Sequence, residues 1–501
     1  MPSPSGDPDA ALTRDLGTYL KRILPALDQF TGYAEPDEGG RRRAEWMEQL
    51  QGPLPEEGEG IEAVVRVLEE TVIPYGLRNG APGFSGWVTT APTVSGTVAG
   101  LAGMVAGSQR VWVHPCNFLE TQALQWLAAL LGLHDDLQGI FVSGGSVASL
   151  VGLTAARQWA FEQRNVDPAR DGLPAGLRWR LYASSEVHHV VTRAAAVLGL
   201  GRRNVVEIPV DDACRIRLDL LRDQLAADAK DDIIPLALVA TAGTVNTGAV
   251  DPIAEMRELA TEFGAWLHVD GAYGLFGVLD PEMAPLFAGL NEADSLAVDP
   301  HKWLAAPVGC GAAFVRDRSL LGRAMTLESA EYLEGSEVTG EVQSPFDNFG
   351  DVYHDFGVDQ SAPSRGVQVW AILKEIGARG MRERVVRHHG YARHLAERVR
   401  QDPRLELVAE PVLSICCFRY RPPEWEEGTR LDELNLAIAT RLRAETPYVP
   451  STTKVRDQWV IRPCFINPRT RLEDIDGLAD AVRTIGDELV DSTRAADSSG
   501  D

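Results

Sequence analysis

Short apolar runs that break off in ionisable residues recur through the middle of the chain. Two of them matter most: Trp266-Leu-His-Val-Asp-Gly-Ala272 and Ser295-Leu-Ala-Val-Asp-Pro-His-Lys-Trp303. Apolar runs of this length read as buried strands of a parallel sheet. Further strands are expected at residues 139–142, 180–183, 205–208, 236–240 and 311–315, with amphipathic stretches such as 251–263 between several of them. Alternation of this kind predicts an α/β fold with a mostly parallel sheet covered by helices on both faces. Ligands of open α/β sheets sit at the carboxyl ends of the strands. Asp270 and Lys302 are therefore expected in one crevice, on strands that could be neighbours.

The flanking regions read differently. Residues 1–80 are expected to be helical, with amphipathic patches at Tyr19-Leu-Lys-Arg-Ile-Leu24 and Ile61-Glu-Ala-Val-Val-Arg-Val-Leu68 and a loop near 51–60. The large alternating domain covers 81–378. Within it the periodicity fails over 328–364, where Gly, Ser, Asp and Pro accumulate, as in a functional or disordered loop. A helix follows at 367–376. Residues 379–490 read as a smaller α+β domain, with strands at 412–418 and 459–462 and a helix at 472–489; a disordered tail is expected over 491–501. Residues 91–107, rich in Gly, Ala, Ser and Thr, are too short to span a bilayer and suit a tightly packed internal helix.

Charge narrows the partners. The 72 acidic and 48 basic residues leave a net charge of −24, which argues against nucleic acid and against an anionic membrane surface. Apolar content of 45% with 24% charged residues is ordinary for a soluble globular protein. The six cysteines have neither metal nor disulfide spacing; they read as free buried thiols in a reducing cytoplasm, and no metal site is expected. No signal peptide is recognised at the N-terminus. Of only five lysines, Lys302 alone closes an apolar strand.

A buried carboxylate facing a buried lysine, each at a strand end, is equipment for holding pyridoxal phosphate: the lysine forms a Schiff base and the acid pairs with the pyridinium nitrogen. A salt bridge from Asp270 to an arginine, or to Lys302 itself, would satisfy the same charges. Phe141-Val-Ser-Gly-Gly-Ser-Val-Ala-Ser-Leu150 is a strand, a glycine turn and a helix start, where backbone N–H groups can receive a phosphate; a plain tight turn has the same signature. In Ser184-Ser-Glu-Val-His-His189, His188 could lie flat on an aromatic cofactor or be structural. Thr241-Ala-Gly-Thr-Val-Asn-Thr-Gly248 ends another strand in small hydroxylated residues, either a ligand contact or a polar loop.

From about residue 82 to 468 the chain resembles the pyridoxal-phosphate-dependent group II amino-acid decarboxylases, which include aromatic amino-acid, histidine, glutamate and diaminobutyrate enzymes. The resemblance rests on Ser143-Gly-Gly-Ser146, Ser184 to His188, Gly243-Thr244, His268-Val-Asp-Gly-Ala-Tyr273, Asp299-Pro-His-Lys-Trp303 and Ile461-Arg-Pro-Cys-Phe-Ile-Asn-Pro468. It implies fold type I of the pyridoxal-phosphate enzymes and a homodimer with shared active sites, wrapped by the N-terminal helices. It further implies that Lys302 carries the cofactor, Asp270 pairs with its ring nitrogen, His188 stacks on the ring and Ala272 packs on the other face. Gly145 and Ser146 would hold the phosphate with help from His301. Asp299 stands where several relatives have asparagine, and Val245 where many have a second threonine, leaving Thr244 as the hydroxyl there.

The family's proton donor is a tyrosine on a mobile loop. Tyr353, twelve residues before Arg365, has the matching spacing; Tyr332 is the other tyrosine of the segment. Relatives with phenylalanine at that position make aldehydes by oxidative deamination, so Tyr353 favours decarboxylation to the amine. Phe84, Trp87, Val88 and Thr90 match the N-terminal wall of the substrate pocket, and Trp87 suits an aromatic or apolar substrate group. An aldehyde synthase or another Cα chemistry such as transamination, and a protein that binds the cofactor without turnover, are the alternatives.

Overall fold

Two sheets organise the chain. The structure is a computed structural model describing residues 16–32, 40, 42–107, 115–325, 353–425 and 428–499, the last five by backbone only. In chain order the strands are β1 (Phe84–Ser85), β2 (Gln138–Val142), β3 (Arg178–Ser184), β4 (Val205–Ile208), β5 (Ile233–Thr241) and β6 (Trp266–Asp270). They continue with β7 (Ser295–Val298), β8 (Gly311–Val315), β9 (Leu405–Ala409), β10 (Cys417–Tyr420), β11 (Val449–Val455) and β12 (Gln458–Arg462).

The larger sheet runs β2-β8-β7-β6-β5-β3-β4, parallel except for β8. Its central strands are continuous apolar runs because both faces are covered; every residue of β6, β7 and β8 is buried. The Gly145–Glu162 helix lies across β6, β7 and β8. Each Leu, Val or Phe buried in this way contributes roughly 1.5–3 kcal/mol relative to exposure. The expected alternation of strands and helices is present, and β6 and β7 are direct neighbours, with Asp270 in register with Ala297.

The smaller sheet runs β1-β11-β12-β10-β9. Its first strand comes from the N-terminal part of the chain: Phe84 pairs with Val449, so the segment at the start of the expected large domain already belongs to the other sheet. The Gly366–Gln401 helix joins the two units and breaks at Gly377, whose φ of 63° and ψ of 176° a side chain would strain. The break falls one residue before the expected boundary at 378.

Three details depart from expectation. The strand expected over 412–418 is displaced to Cys417–Tyr420, Ile415 making only an isolated bridge to Cys464. The closing helix runs from Leu472 to Ser499, into the tail expected to be disordered, because neither Pro nor Gly interrupts its last turns and Arg494 pairs with Glu424. The Val94–Ala106 helix is not internal. Its Gly96, Gly100 and Gly103 face is buried, while Val94, Val98, Met104 and Val105 are exposed. The expected loop over 328–364 lies outside the described residues up to 352, as does Tyr332.

Candidate active site

Parallel register brings the carboxyl ends of β3, β5, β6 and β7 level. Thr241 is opposite Asp270, and Asp270 opposite Ala297. Backbone bonds lace the ends together: Ala242 N–H donates to the Asp270 carbonyl, Gly271 to Ala297, and Asp299 to Ala272 at 3.2 Å. Asp270 is 5% exposed and one carboxylate oxygen accepts from the Ala272 N–H at 3.2 Å.

Lys302 follows β7 in a tight turn, and its Nζ lies 3.1 Å from Asp299 Oδ2. His301 Nε2 is 3.8 Å from the same oxygen, while its Nδ1 donates to the Cys310 carbonyl at 2.7 Å. His188 precedes the Val190–Val197 helix, accepts the Val190 N–H at Nδ1 and lies against His189 at 4.1 Å. Burial lowers the basicity of His188, followed by repulsion from His189; attraction to Asp270 opposes this and repulsion from Lys302 adds to it. His188 is thus neutral at pH 7 and within electrostatic range of both Asp270 and Lys302.

Between β2 and the Gly145–Glu162 helix lies the glycine turn. Gly144 has φ 146°, a conformation for glycine alone, and a Cβ there would sit 3.3 Å from His301 Cε1. A Cβ at Gly145 would fall 2.8 Å from that of Ala272 and 2.7 Å from Asp299 Oδ2. Bare backbone at this helix start, with Ser146 exposed in the first turn, forms a cradle whose free N–H groups suit a phosphate. The cradle, the lysine and the acid on the neighbouring strand end fit pyridoxal phosphate.

Other expected contacts are arranged differently. Thr244 is fully buried, and its hydroxyl is engaged within its own turn by Thr247 at 2.9 Å and the Ala249 N–H at 3.1 Å. Tyr353 is 1% exposed and its hydroxyl bonds Thr121 at 2.8 Å. Of the four pocket-wall residues, Phe84, Val88 and Thr90 are buried and only Trp87 is exposed. Trp87 holds φ 49°, fixed by its N–H to Ser451 Oγ at 2.6 Å, with its ring 6.0 Å from that of Phe84.

Two residues quoted in the sequence motifs without a role have one in the geometry. Arg462, 3% exposed at the end of β12, donates to the Trp87 carbonyl at 2.6 Å and to the Val245 carbonyl, tying the pocket wall to the loop after β5. An apolar strand ending in an ionisable residue was the signal for it, as for Asp270. His268, two residues before Asp270 and on the same face of β6, is fully buried. Ser295 accepts from the Trp266 indole at 2.8 Å and shares a 2.8 Å hydrogen bond with His268 Nδ1. Burial lowers the His268 pKa to about 4, against a smaller pull from Asp270.

Fold and site together define a pyridoxal-phosphate enzyme of fold type I. The sequence profile described as "Pyridoxal-dependent decarboxylase conserved domain" matches residues 44–421. The chain is 31% identical over 445 residues to the aromatic-L-amino-acid decarboxylase of Bacillus atrophaeus, covering 87% of this chain and 88% of that one. It is also 31% identical over 385 residues to the acidic amino acid decarboxylase GADL1 of Homo sapiens, covering 74% and 70%. The crystal structure of Oryza sativa TDC with PLP and tryptamine superposes with a TM-score of 0.86 at 22% identity, covering 98% of this chain and 100% of that one. The chain belongs to the pyridoxal-dependent decarboxylase family and is a pyridoxal-phosphate-dependent amino-acid decarboxylase.

Proposed function

We propose that the enzyme converts an aromatic L-amino acid to the corresponding amine and carbon dioxide. The observation that carries the aromatic reading is Trp87: exposed by 61%, fixed in a left-handed conformation, and tied through Arg462 to the loop after β5. Its indole offers a substrate ring a stacking surface worth about 0.5–1.5 kcal/mol beyond burial.

Bound at the strand ends, pyridoxal phosphate supplies the sink for the electron pair left when the Cα–carboxylate bond breaks. Lys302 would be the residue that holds the cofactor covalently. Asp270 holds a proton at the ring nitrogen, a charge-assisted bond favoured by burial. His188, kept neutral, would pack on one face of the cofactor ring and Ala272 on the other. Gly145, Ser146 and His301 surround the phosphate, with Asp299 at the base of the cup and Thr244 supporting the adjacent turn. Tyr353 leaves Thr121 to deliver the proton to the substrate Cα.

A second copy of the chain covers the exposed apolar face of Val94, Val98, Met104 and Val105. Contiguous exposed apolar surface of this kind marks an interface. The free thiols of all six cysteines suit the cytoplasm. No helix among the described residues is long and apolar enough to cross a membrane.

A second reading, an acidic substrate, is favoured by Arg462. It is a nearly buried cation whose hydrogen bonds at the site go to carbonyls. The test incubates the protein and pyridoxal phosphate with aromatic, acidic, basic and small L-amino acids, scoring products by mass spectrometry. Amines from the aromatic set alone support the proposal. Turnover confined to acidic substrates replaces it with the second reading, and aldehyde with ammonia overturns the role given to Tyr353.

A further inference from the structure

Asp299 is buried in the cup itself. It is 2% exposed and wedged between glycines: a Cβ at Gly145 would lie 2.7 Å from Oδ2 and one at Gly311 2.7 Å from Oδ1. Oδ1 is buried without a hydrogen-bond partner. Oδ2 has the Lys302 ammonium at 3.1 Å and the His301 ring at 3.8 Å. His301 donates from Nδ1 to the Cys310 carbonyl, so in its neutral form Nε2 has no proton to offer Asp299. Lys302 is the carboxylate's partner.

That partner is also the residue the cofactor takes. Condensation of the Lys302 ammonium with an aldehyde joins nitrogen to carbon, expels the oxygen as one water, and leaves the positive charge on nitrogen. Asp299 would then share that one cation with the cofactor just as a phosphate enters the glycine cradle against which it is packed. Two anions in one buried cup repel strongly, and an unpaired buried carboxylate costs several kcal/mol. The other groups facing it do not relieve this. The helix start contributes only N–H groups, which the phosphate engages. Cys310, in electrostatic contact with Asp299, has its thiol pushed up by burial, and Glu120 beside it adds negative charge while Arg365 bonds the Gly309 carbonyl. Asp270 is a further acid across the strand ends; positive charge besides Lys302 comes from His301 and from Arg365, whose guanidinium acts on Cys310 and is held by the Gly309 carbonyl and by Asp359 at 3.6 Å.

We propose that Asp299 takes up one proton when pyridoxal phosphate binds, so that cofactor affinity in this enzyme is proton-linked through the residue standing at the base of the phosphate cup. The inference rests on the cofactor placement given above. Because the loaded state holds the extra proton, affinity falls as pH rises, by up to about tenfold per pH unit across the window where the free enzyme has already lost it. Protonated, Asp299 donates its O–H, and an asparagine there donates likewise without titrating.

Calorimetric titration of the apoenzyme with pyridoxal phosphate, in buffers of different ionisation enthalpy, counts protons directly on the unaltered protein. After correction for the phosphate's own titration, uptake near one proton is expected; zero uptake or net release overturns the proposal. Asp299→Asn should flatten the pH dependence of Kd and bind more tightly than the parent at the alkaline end of the range measured. An unchanged slope in that variant assigns the proton elsewhere and also overturns it. Lys302→Ala separates the two layers. If the parent forms no borohydride-reducible adduct that this variant lacks, the cofactor placement fails; if the adduct forms normally but no proton is taken up, only the Asp299 inference fails.

Discussion

Trp303 donates its indole N–H to Nδ1 of His388 across 2.9 Å, with the two rings within 9° of parallel. Tyr273 stacks on the same indole at 5.4 Å and shares a 2.6 Å hydrogen bond with Ser414. One buried aromatic stack therefore joins the residue beside Lys302, the turn after Asp270, and the helix beyond the Gly377 break. Burial holds His388 well below its ordinary pKa, with Arg384 and Arg387 adding to the effect, so the imidazole is a neutral acceptor. Trp303→Phe keeps the stack and removes the donor. Leaving that buried nitrogen unpaired should cost about 1–3 kcal/mol, read as a lower urea midpoint at unchanged slope. A loss below about 0.5 kcal/mol would mean that the ring stack alone joins the two units.

The anchor and the electron sink are separable. Lys302→Ala is expected to abolish the adduct trapped by borohydride, so the reduced polypeptide shows no gain in mass. Asp270→Asn should keep the adduct yet lower kcat by at least about 10²-fold, because an amide does not hold the ring nitrogen in its protonated form. Loss of cofactor rather than of turnover in Asp270→Asn would make that residue a binding group only.

Tyr353 and Thr121 offer a matched pair. Their 2.8 Å bond predicts that Tyr353→Phe and Thr121→Val each cost about 1 kcal/mol of stability. Chemistry should part them. In air-saturated buffer, with dioxygen as the two-electron oxidant, Tyr353→Phe is expected to divert product from amine toward aldehyde and ammonia, whereas Thr121→Val, which frees the phenol, keeps the amine. Equal effects on product would reduce Tyr353 to a packing residue.

The strands at the site were legible because they are buried on both faces. Ser295–Val298 and Gly311–Val315 coincide with their apolar runs, and away from the site the partly exposed edge strand Val205–Ile208 does too. The smaller sheet was less so. Val449–Val455 is Val-Pro-Ser-Thr-Thr-Lys-Val, half exposed and polar, and it is a strand because β12 and the two residues of β1 pair with it. Such pairing is a tertiary fact with no local signature. The same holds for side chains. Asp270 and Lys302 announced themselves as charges ending apolar runs, whereas the engagement of Thr244 by Thr247 depends on how one turn closes.

His268 gives the site a pH signature. Its folded pKa of about 4 lies below the ordinary histidine value of 6.5. Between those values the unfolded chain binds a proton that the folded chain refuses, so stability falls as pH drops through this window, by about 3 kcal/mol at full extent. Asp251 works the other way: burial raises it to about 6, and acidification from there toward 3.8 favours the folded state. The two offset in the parent. His268→Gln removes only the first, so its stability relative to the parent should improve by about 3 kcal/mol between pH 7 and pH 4. Denaturant melts at both pH values measure this; a pH-independent difference would place the protonation elsewhere.

Arg462 decides between the two substrate readings. Its guanidinium holds the carbonyls of Trp87 and Val245, so it builds the pocket wall whether or not its charge also meets the substrate. Arg462→Lys keeps a cation but cannot bridge two carbonyls with a planar fork. Under the aromatic reading the loss is one of wall geometry. Thermal stability should fall and kcat/KM should drop alike for every substrate turned over, because the damage precedes any contact with the side chain. Under the acidic reading the charge is met by a substrate carboxylate. KM should then rise by at least about tenfold for acidic amino acids alone, the loss of a directed charge-assisted bond worth about 1.5–3 kcal/mol. Steady-state kinetics of parent and variant on one aromatic and one acidic L-amino acid distinguish these outcomes. A uniform drop keeps Trp87 as the specificity element, and a selective one transfers that role to Arg462.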